Sequence, residues 1–156
     1  MIEISVPGGK TLLLSFLVLD YNGTMACDGR LIQGVRDRLE KLSSGVEIHV
    51  LTADTFGSVR DELTGIPCRL TVIPKDDQAQ AKADFIRGLG VGHTVAVGNG
   101  RNDQLMLQEA VLGIATLQEE GAAPGTLFAA DVVTHSILDA LDLLLFPIRM
   151  TATLRS

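Results

Sequence analysis

One pattern constrains this chain more than any other. From position 11 onward, short apolar runs alternate with amphipathic stretches of helical length: TLLLSFLVL (11–19), VEIHVLT (46–52), CRLTVI (68–73), HTVAVG (93–98) and VLGIAT (111–116). Strands separated by helices of about ten residues make βαβ units, and βαβ units build a mostly parallel sheet. The end of the first run, 16–19, is continuously apolar, as in a strand buried on both faces. A chain of 156 residues without a linker or repeat favours one domain, 1–156, with a real core.

The remaining elements follow from local signals. Residues 2–6 form a strand joined to 11–19 by the turn segment Pro7-Gly8-Gly9-Lys10, which predicts an N-terminal β-hairpin. Asp28-Gly29 within MACDGRLI predicts a second, small hairpin. Helical periodicity starts at Val35 and stops at Gly45. Further helices are expected from an Asp54 cap to about Leu63, from Gln78 to Leu89 with Gly90 as the stop, and over 103–110 and 124–129. A strand DVVT (131–134) and a last helix from Ser136 to Leu145 complete the body.

Composition sets outer bounds. A net charge of −6 argues against nucleic acid and anionic membranes as partners. Cys27 and Cys68 lack disulfide or metal-ligand spacing and read as reduced thiols in a cytoplasmic protein. No basic leader precedes an apolar core at the N-terminus, and ILDALDLLLF (137–146) is too short and too acidic to span a bilayer. The expectation is a cytoplasmic monomer or a small homo-oligomer joined through the terminal helix and the N-terminal hairpin. The favoured role of those apolar faces is to complete the core.

Parallel α/β sheets bind ligands beyond the carboxyl ends of their strands, where the strand order reverses. Asp20, Thr52 and the loop GNGRND (98–103) each follow the carboxyl end of an expected strand. They are far apart in sequence, yet this architecture would bring them together.

Taken in order, Asp20-Tyr21-Asn22-Gly23-Thr24, Thr52, a following lysine and GNGRND resemble the four motifs of the haloacid dehalogenase-like phosphohydrolases. The resemblance covers nearly the whole chain. The stretch VAVGNGRNDQLMLQEAVLGIA (95–115) is similar to the phosphorylation domain of P-type ATPases, and more so to small soluble proteins related to it. It implies a Rossmann-like three-layer sandwich and an aspartyl phosphate formed on Asp20 with Mg²⁺ as cofactor. Phosphate contacts fall to Asn22, Gly23, Thr52, Ala53 and Lys82. Metal contacts fall to Asp20, Asn22 through its carbonyl, Asn99 and Asp103. Lys82 fits the spacing of the soluble relatives, while Lys75 lies nearer its strand end. Asn102 is expected to hold its loop by side-chain-to-backbone bonds. The gaps after Thr24 and Thr52 are too short for a cap domain.

The chain departs from the family pattern twice. Asn22 stands where phosphatases of this kind carry the aspartate that protonates the leaving oxygen and later activates water. An amide cannot titrate there, so attack survives while turnover slows. Asn99 replaces an acid that contacts the metal, which lowers ligand charge and weakens Mg²⁺ binding. The two amides also allow a second reading, a phosphate-binding or regulatory protein that partners a transport ATPase. A receiver domain is excluded, because its metal acids precede the phosphorylated residue. The phosphorylated substrate itself is not specified.

Overall fold

The computed structural model describes residues 1–54 and 58–156. Strands β1 (Ile2–Ile4) and β2 (Leu12–Leu14) pair antiparallel, with Ile2 opposite Leu14 and Ile4 opposite Leu12. The expected single strand over 11–19 is therefore two strands. The break falls at Ser15, whose N–H donates to the His93 carbonyl at 2.9 Å and whose carbonyl accepts from the Glu47 N–H at 2.9 Å. Both backbone groups of Ser15 are thus taken by segments of the main sheet, and the chain passes there from the hairpin into β3 (Phe16–Asp20).

Five more strands join β3 in one parallel sheet: β6 (Glu47–Thr52), β7 (Arg69–Val72), β8 (Thr94–Gly98), β9 (Leu112–Thr116) and β10 (Val132–Thr134). Their spatial order is β10-β9-β8-β3-β6-β7. The chain moves outward from β3 through β6 and β7, then returns to β8 on the other flank. Strand order reverses between β3 and β8, so the crevice at their carboxyl ends is the favoured ligand site of the topology.

Helices cover both faces. Along β3 the two-residue period sends Leu17 and Leu19 to one side, into a core shared with Leu39 of α1 (Val35–Leu42) and Leu141 of α6 (Ile137–Leu145). Val18 points to the other side, against Ile86 of α3 (Gln78–Leu89) and Met106 of α4 (Gln104–Glu109). The result is a three-layer α/β sandwich. Helix α3 has the bounds expected from sequence, and Gly90 ends it at φ 115°. The helix expected over 103–110 is α4, preceded by a 3₁₀ turn, Arg101–Asp103.

The small hairpin of β4 (Ala26–Cys27) and β5 (Arg30–Leu31) turns on Asp28 and Gly29, both with positive φ (51° and 78°), as a two-residue primed turn requires. Helix α2 (Ser58–Glu62) occupies part of the stretch expected to be helical after Asp54, and the earlier part lies outside the described residues. The short α5 (Pro124–Ala129) is where 124–129 was expected. One element was not anticipated. Helix α7 (Pro147–Leu154) buries Met150 completely, and the Thr151 hydroxyl donates to the Ser5 carbonyl at 2.8 Å. Ile4, Leu14, Leu144 and Met150 share one core, so within a single chain these apolar faces cover one another.

Candidate active site

Asp20 ends β3, and its neighbour in register is Leu51 of β6. One residue later Thr52 ends β6, and Gly98 ends β8 just before Asn99. A cavity of about 390 Å³ opens over these strand ends, lined by Asp20, Asn22, Thr52, Ala53, Lys82 and Asn99 among others. A larger, open depression of about 630 Å³ lies at the other end of the sheet, between 43–48 and 66–69, away from these groups.

Lys82 decides the electrostatics of the cavity. It lies one turn inside α3, on the same face as Ile86, and only 1% of the residue is exposed. Its Nζ donates to Asp20 Oδ1 at 2.7 Å and to Asp103 Oδ1 at 2.6 Å. Lys75 is exposed and lines a neighbouring surface cleft. Of the two candidate lysines, Lys82, the one that spacing favoured, is the one in contact with Asp20 and Asp103.

Asp103 is fully buried and held by three hydrogen bonds from the protein. Its Oδ2 accepts the backbone N–H groups of Asn99 at 3.0 Å and Gly100 at 2.9 Å, while Oδ1 faces Lys82. Gly98 makes room for it, since a Cβ there would stand 2.5 Å from the Asp103 carboxyl carbon. Asp103 thus holds the lysine and its own loop.

Thr24 reaches further than loop-holding. Its hydroxyl lies 3.0 Å from Asp20 Oδ2 and 3.3 Å from Asn99 Oδ1. The backbone around it folds tightly, with the N–H groups of Thr24, Met25 and Ala26 all directed at the Tyr21 carbonyl. Gly23 adopts φ 79°, a conformation open to glycine at little cost. The Thr52 hydroxyl accepts the Asp54 N–H at 3.1 Å, which leaves its proton for another acceptor. Asn22 lines the cavity from an exposed position. Asn102 does not bond backbone as expected. Its amide donates to Gln78 Oε1 at 2.7 Å, bridging the loop to the first turn of α3 at the cavity wall.

Burial and the nearby charge of Asp103 push the Asp20 carboxyl up to about 7, and Lys82 and Thr24 offset this only in part. Burial alone would lower the Lys82 ammonium, but the two carboxylates more than reverse that and raise it. Two buried acids thus share one cation, and among the described residues no second cation balances the excess negative charge. The oxygens nearest that charge, from Asp20 and Asn99, are hard donors of the kind Mg²⁺ takes alongside retained water. Among the described residues no group of three or more His, Cys, Asp or Glu side chains makes a metal site. The donor set is two carboxylates and an amide, with Asp103 already committed to Lys82 and backbone.

No protein-family model matches the chain. An uncharacterized protein of Methanocaldococcus jannaschii is 49% identical over 61 residues, which make up 39% of this chain and 66% of that protein. A soluble P-type ATPase-like phosphatase of the same organism is 27% identical over 146 residues, 90% of this chain and 53% of the relative. The chain therefore spans about half the length of that phosphatase. Among solved structures, the 3-deoxy-D-manno-octulosonate 8-phosphate phosphatase of Moraxella catarrhalis, in complex with magnesium, phosphate and a KDO molecule, matches with a TM-score of 0.69. It is 17% identical and covers 89% of this chain and 90% of its own. A Streptomyces avermitilis protein assigned to the HAD hydrolase family matches with a TM-score of 0.69 at 20% identity, over 93% and 90% of the two chains.

The fold is haloacid dehalogenase-like. In this version of the haloacid dehalogenase-like fold, the connection from β3 to β6 holds only the β4–β5 hairpin and α1, so no cap domain sits there. Two glutamines at the site escaped sequence reasoning. Gln78 partners Asn102, and Gln118 donates to the carbonyls of Gly23 at 3.0 Å and Thr24 at 2.6 Å. The available signal for Gln118 was its place just beyond β9, at the same end of the sheet as Asp20 and Thr52.

Proposed function

We propose that this chain is a Mg²⁺-dependent phosphohydrolase or phosphotransferase that forms an aspartyl phosphate on Asp20. The observation that carries this reading is the buried contact of Lys82 with both Asp20 and Asp103 at the strand-order reversal. The relatives support it: one is a phosphatase by name, and a structural neighbour was solved with magnesium and phosphate.

A carboxylate oxygen of Asp20 attacks phosphorus, the P–O bond to the leaving group breaks, and that group departs with the electron pair. Water then attacks the aspartyl phosphate, the bond from phosphorus to Asp20 breaks, and inorganic phosphate leaves as the water proton passes to solvent. Lys82 favours the ionised form of Asp20 against burial and Asp103, and faces the charge of the transferred group. The Thr52 hydroxyl donates to a phosphate oxygen. Asp20 and Asn99 would hold Mg²⁺, with the Asn22 carbonyl as a further ligand and Asp103 acting through water. When bound, the cation supplies the positive charge that the cavity lacks. Asn22 offers no proton to the leaving oxygen and no base to the water. Both steps are therefore slow, most of all for alkyl esters, whose alkoxide must be protonated as it leaves.

The second reading, a non-catalytic phosphate-binding or regulatory protein, for which a transport ATPase is one candidate partner, is favoured by Asn22 and Asn99. Phosphate release from acetyl phosphate or p-nitrophenyl phosphate with Mg²⁺, measured beside Asp20→Asn, separates the two. Release that disappears in Asp20→Asn supports catalysis. Binding of Mg²⁺ and phosphate without any release supports the regulatory reading.

A further inference from the structure

Asn99 does more than substitute for an acid. Its Nδ2 donates to the Gly121 carbonyl at 2.9 Å, a bond that a carboxylate cannot make because it has no proton to give. That bond turns Oδ1 toward Thr24, whose hydroxyl lies between Asn99 and Asp20. The Asn99 carbonyl accepts the Ala123 N–H at 2.9 Å. The amide also packs against the nucleophile loop, since a Cβ on Gly23 would stand 2.5 Å from Nδ2.

A second residue of the same segment closes the arrangement. Gln118 gives both protons of its amide to the Gly23 and Thr24 carbonyls, and its Oε1 accepts the Ile137 N–H at 3.0 Å, at the start of α6. The segment 117–123 is thus bonded to the loop that follows Asp20 and to the loop that contains Asn99. These bonds converge on Thr24, the residue whose hydroxyl orients Asp20 Oδ2.

We propose that Asn99 and Gln118 are positioning residues that tie segment 117–123 to the nucleophile loop and set Thr24 against Asp20. An amide is required at position 99 because an aspartate would lose the Gly121 bond and set two acceptors against each other. It would also add a third acid to a cavity with one buried lysine. Its bearing on catalysis rests on Asp20 being the nucleophile, whereas the tie does not.

Two variants of the full chain test this. Asn99→Asp removes the donor and adds charge, and Gln118→Met removes three bonds while adding none. Hydrogen–deuterium exchange over 117–123, measured well below each melting temperature, should rise about fivefold in Asn99→Asp, the scale of one lost hydrogen bond, and by at least as much in Gln118→Met. Unchanged exchange in both variants overturns the tie. Calorimetric titration with Mg²⁺ should show tighter binding to Asn99→Asp, from its extra ligand charge, and unchanged binding to Gln118→Met. Phosphoenzyme formation from acetyl phosphate, followed by intact mass, should fall about tenfold or more in both, as misplaced reacting groups require. In Asn99→Asp, affinity and rate thus move in opposite directions, which a purely structural defect does not produce. Faster phosphorylation of Asn99→Asp overturns the positioning role and makes Asn99 a lost acid. A wild-type chain that acetyl phosphate never labels sinks the nucleophile reading instead, and the exchange result still decides the tie.

Discussion

At the scale of single residues, the cavity is a problem in charge. Asp20 has a native carboxyl raised from 3.8 to about 7, so the folded state holds its proton more tightly than the unfolded chain. Its contribution to stability is complete below 3.8 and is lost as pH rises through about 7. Metal-free protein should therefore melt at falling temperature across that interval, and Asp20→Asn should flatten the profile. Lys82 works in the opposite sense for its partners, because without it two buried acids face each other. Lys82→Met should cost about 3–5 kcal/mol at pH 8 by urea denaturation, and less at pH 5, where a proton can replace the ammonium. Asn22 is exposed and can be exchanged with little structural consequence. Asn22→Asp should raise steady-state phosphate release from alkyl esters by about 10²–10⁴-fold, the usual value of general acid–base help. An unchanged rate would count against position 22 as the missing acid and base.

At the scale of elements, what could be read locally was read well. The bounds of α3 depend on Gly90 and on apolar spacing within the helix, and both are visible in a dozen residues. The split of 11–19 into β2 and β3 depends on which neighbours take the Ser15 backbone, and those are His93 and Glu47. A single polar residue, Ser15, marks the break, and Leu14 before it and Leu17 and Leu19 after it are buried in one core, so the apolar pattern resumes at once and gave no sign of two strands. Helix α7 was hidden for a related reason: its amphipathic face has meaning only against the hairpin at the opposite terminus. Gly113, inside β9, is a further case. A Cβ there would stand 2.5 Å from the Leu107 carbonyl oxygen, so α4 approaches the strand at backbone distance. Gly113→Ala should destabilise the fold by about 1–3 kcal/mol in denaturant titration, as overpacking does.

At the scale of the molecule, strand order brings the chemistry together. Asp20 meets Lys82 across 62 residues, and Thr24 meets Asn99 across 75. Because Asp20 and Asp103 share the single cation Lys82 among the described residues, a divalent cation should stabilise the whole fold, by about 2.7 kcal/mol at a hundred times its Kd. The shift in melting temperature with Mg²⁺ should be larger at pH 8 than at pH 5, since the cation competes with the Asp20 proton. An equal shift at both values would place the cation elsewhere.

The residues alone established the α/β alternation, the ends of most elements and, as candidates, Asp20, Asn22, Thr52, Ala53, Lys82 and Asn99, which meet in the cavity. Those features are written in local periodicity, in glycines and prolines, and in an ordered set of motifs. Tertiary structure decided the contact of Lys82 with both acids, the commitment of Asp103 to that lysine, and the bonds by which Asn99 and Gln118 join segment 117–123 to the loop after Asp20. Hydrogen bonds between side chains and distant carbonyls leave no periodic trace, because their partners become neighbours only after the sheet has formed.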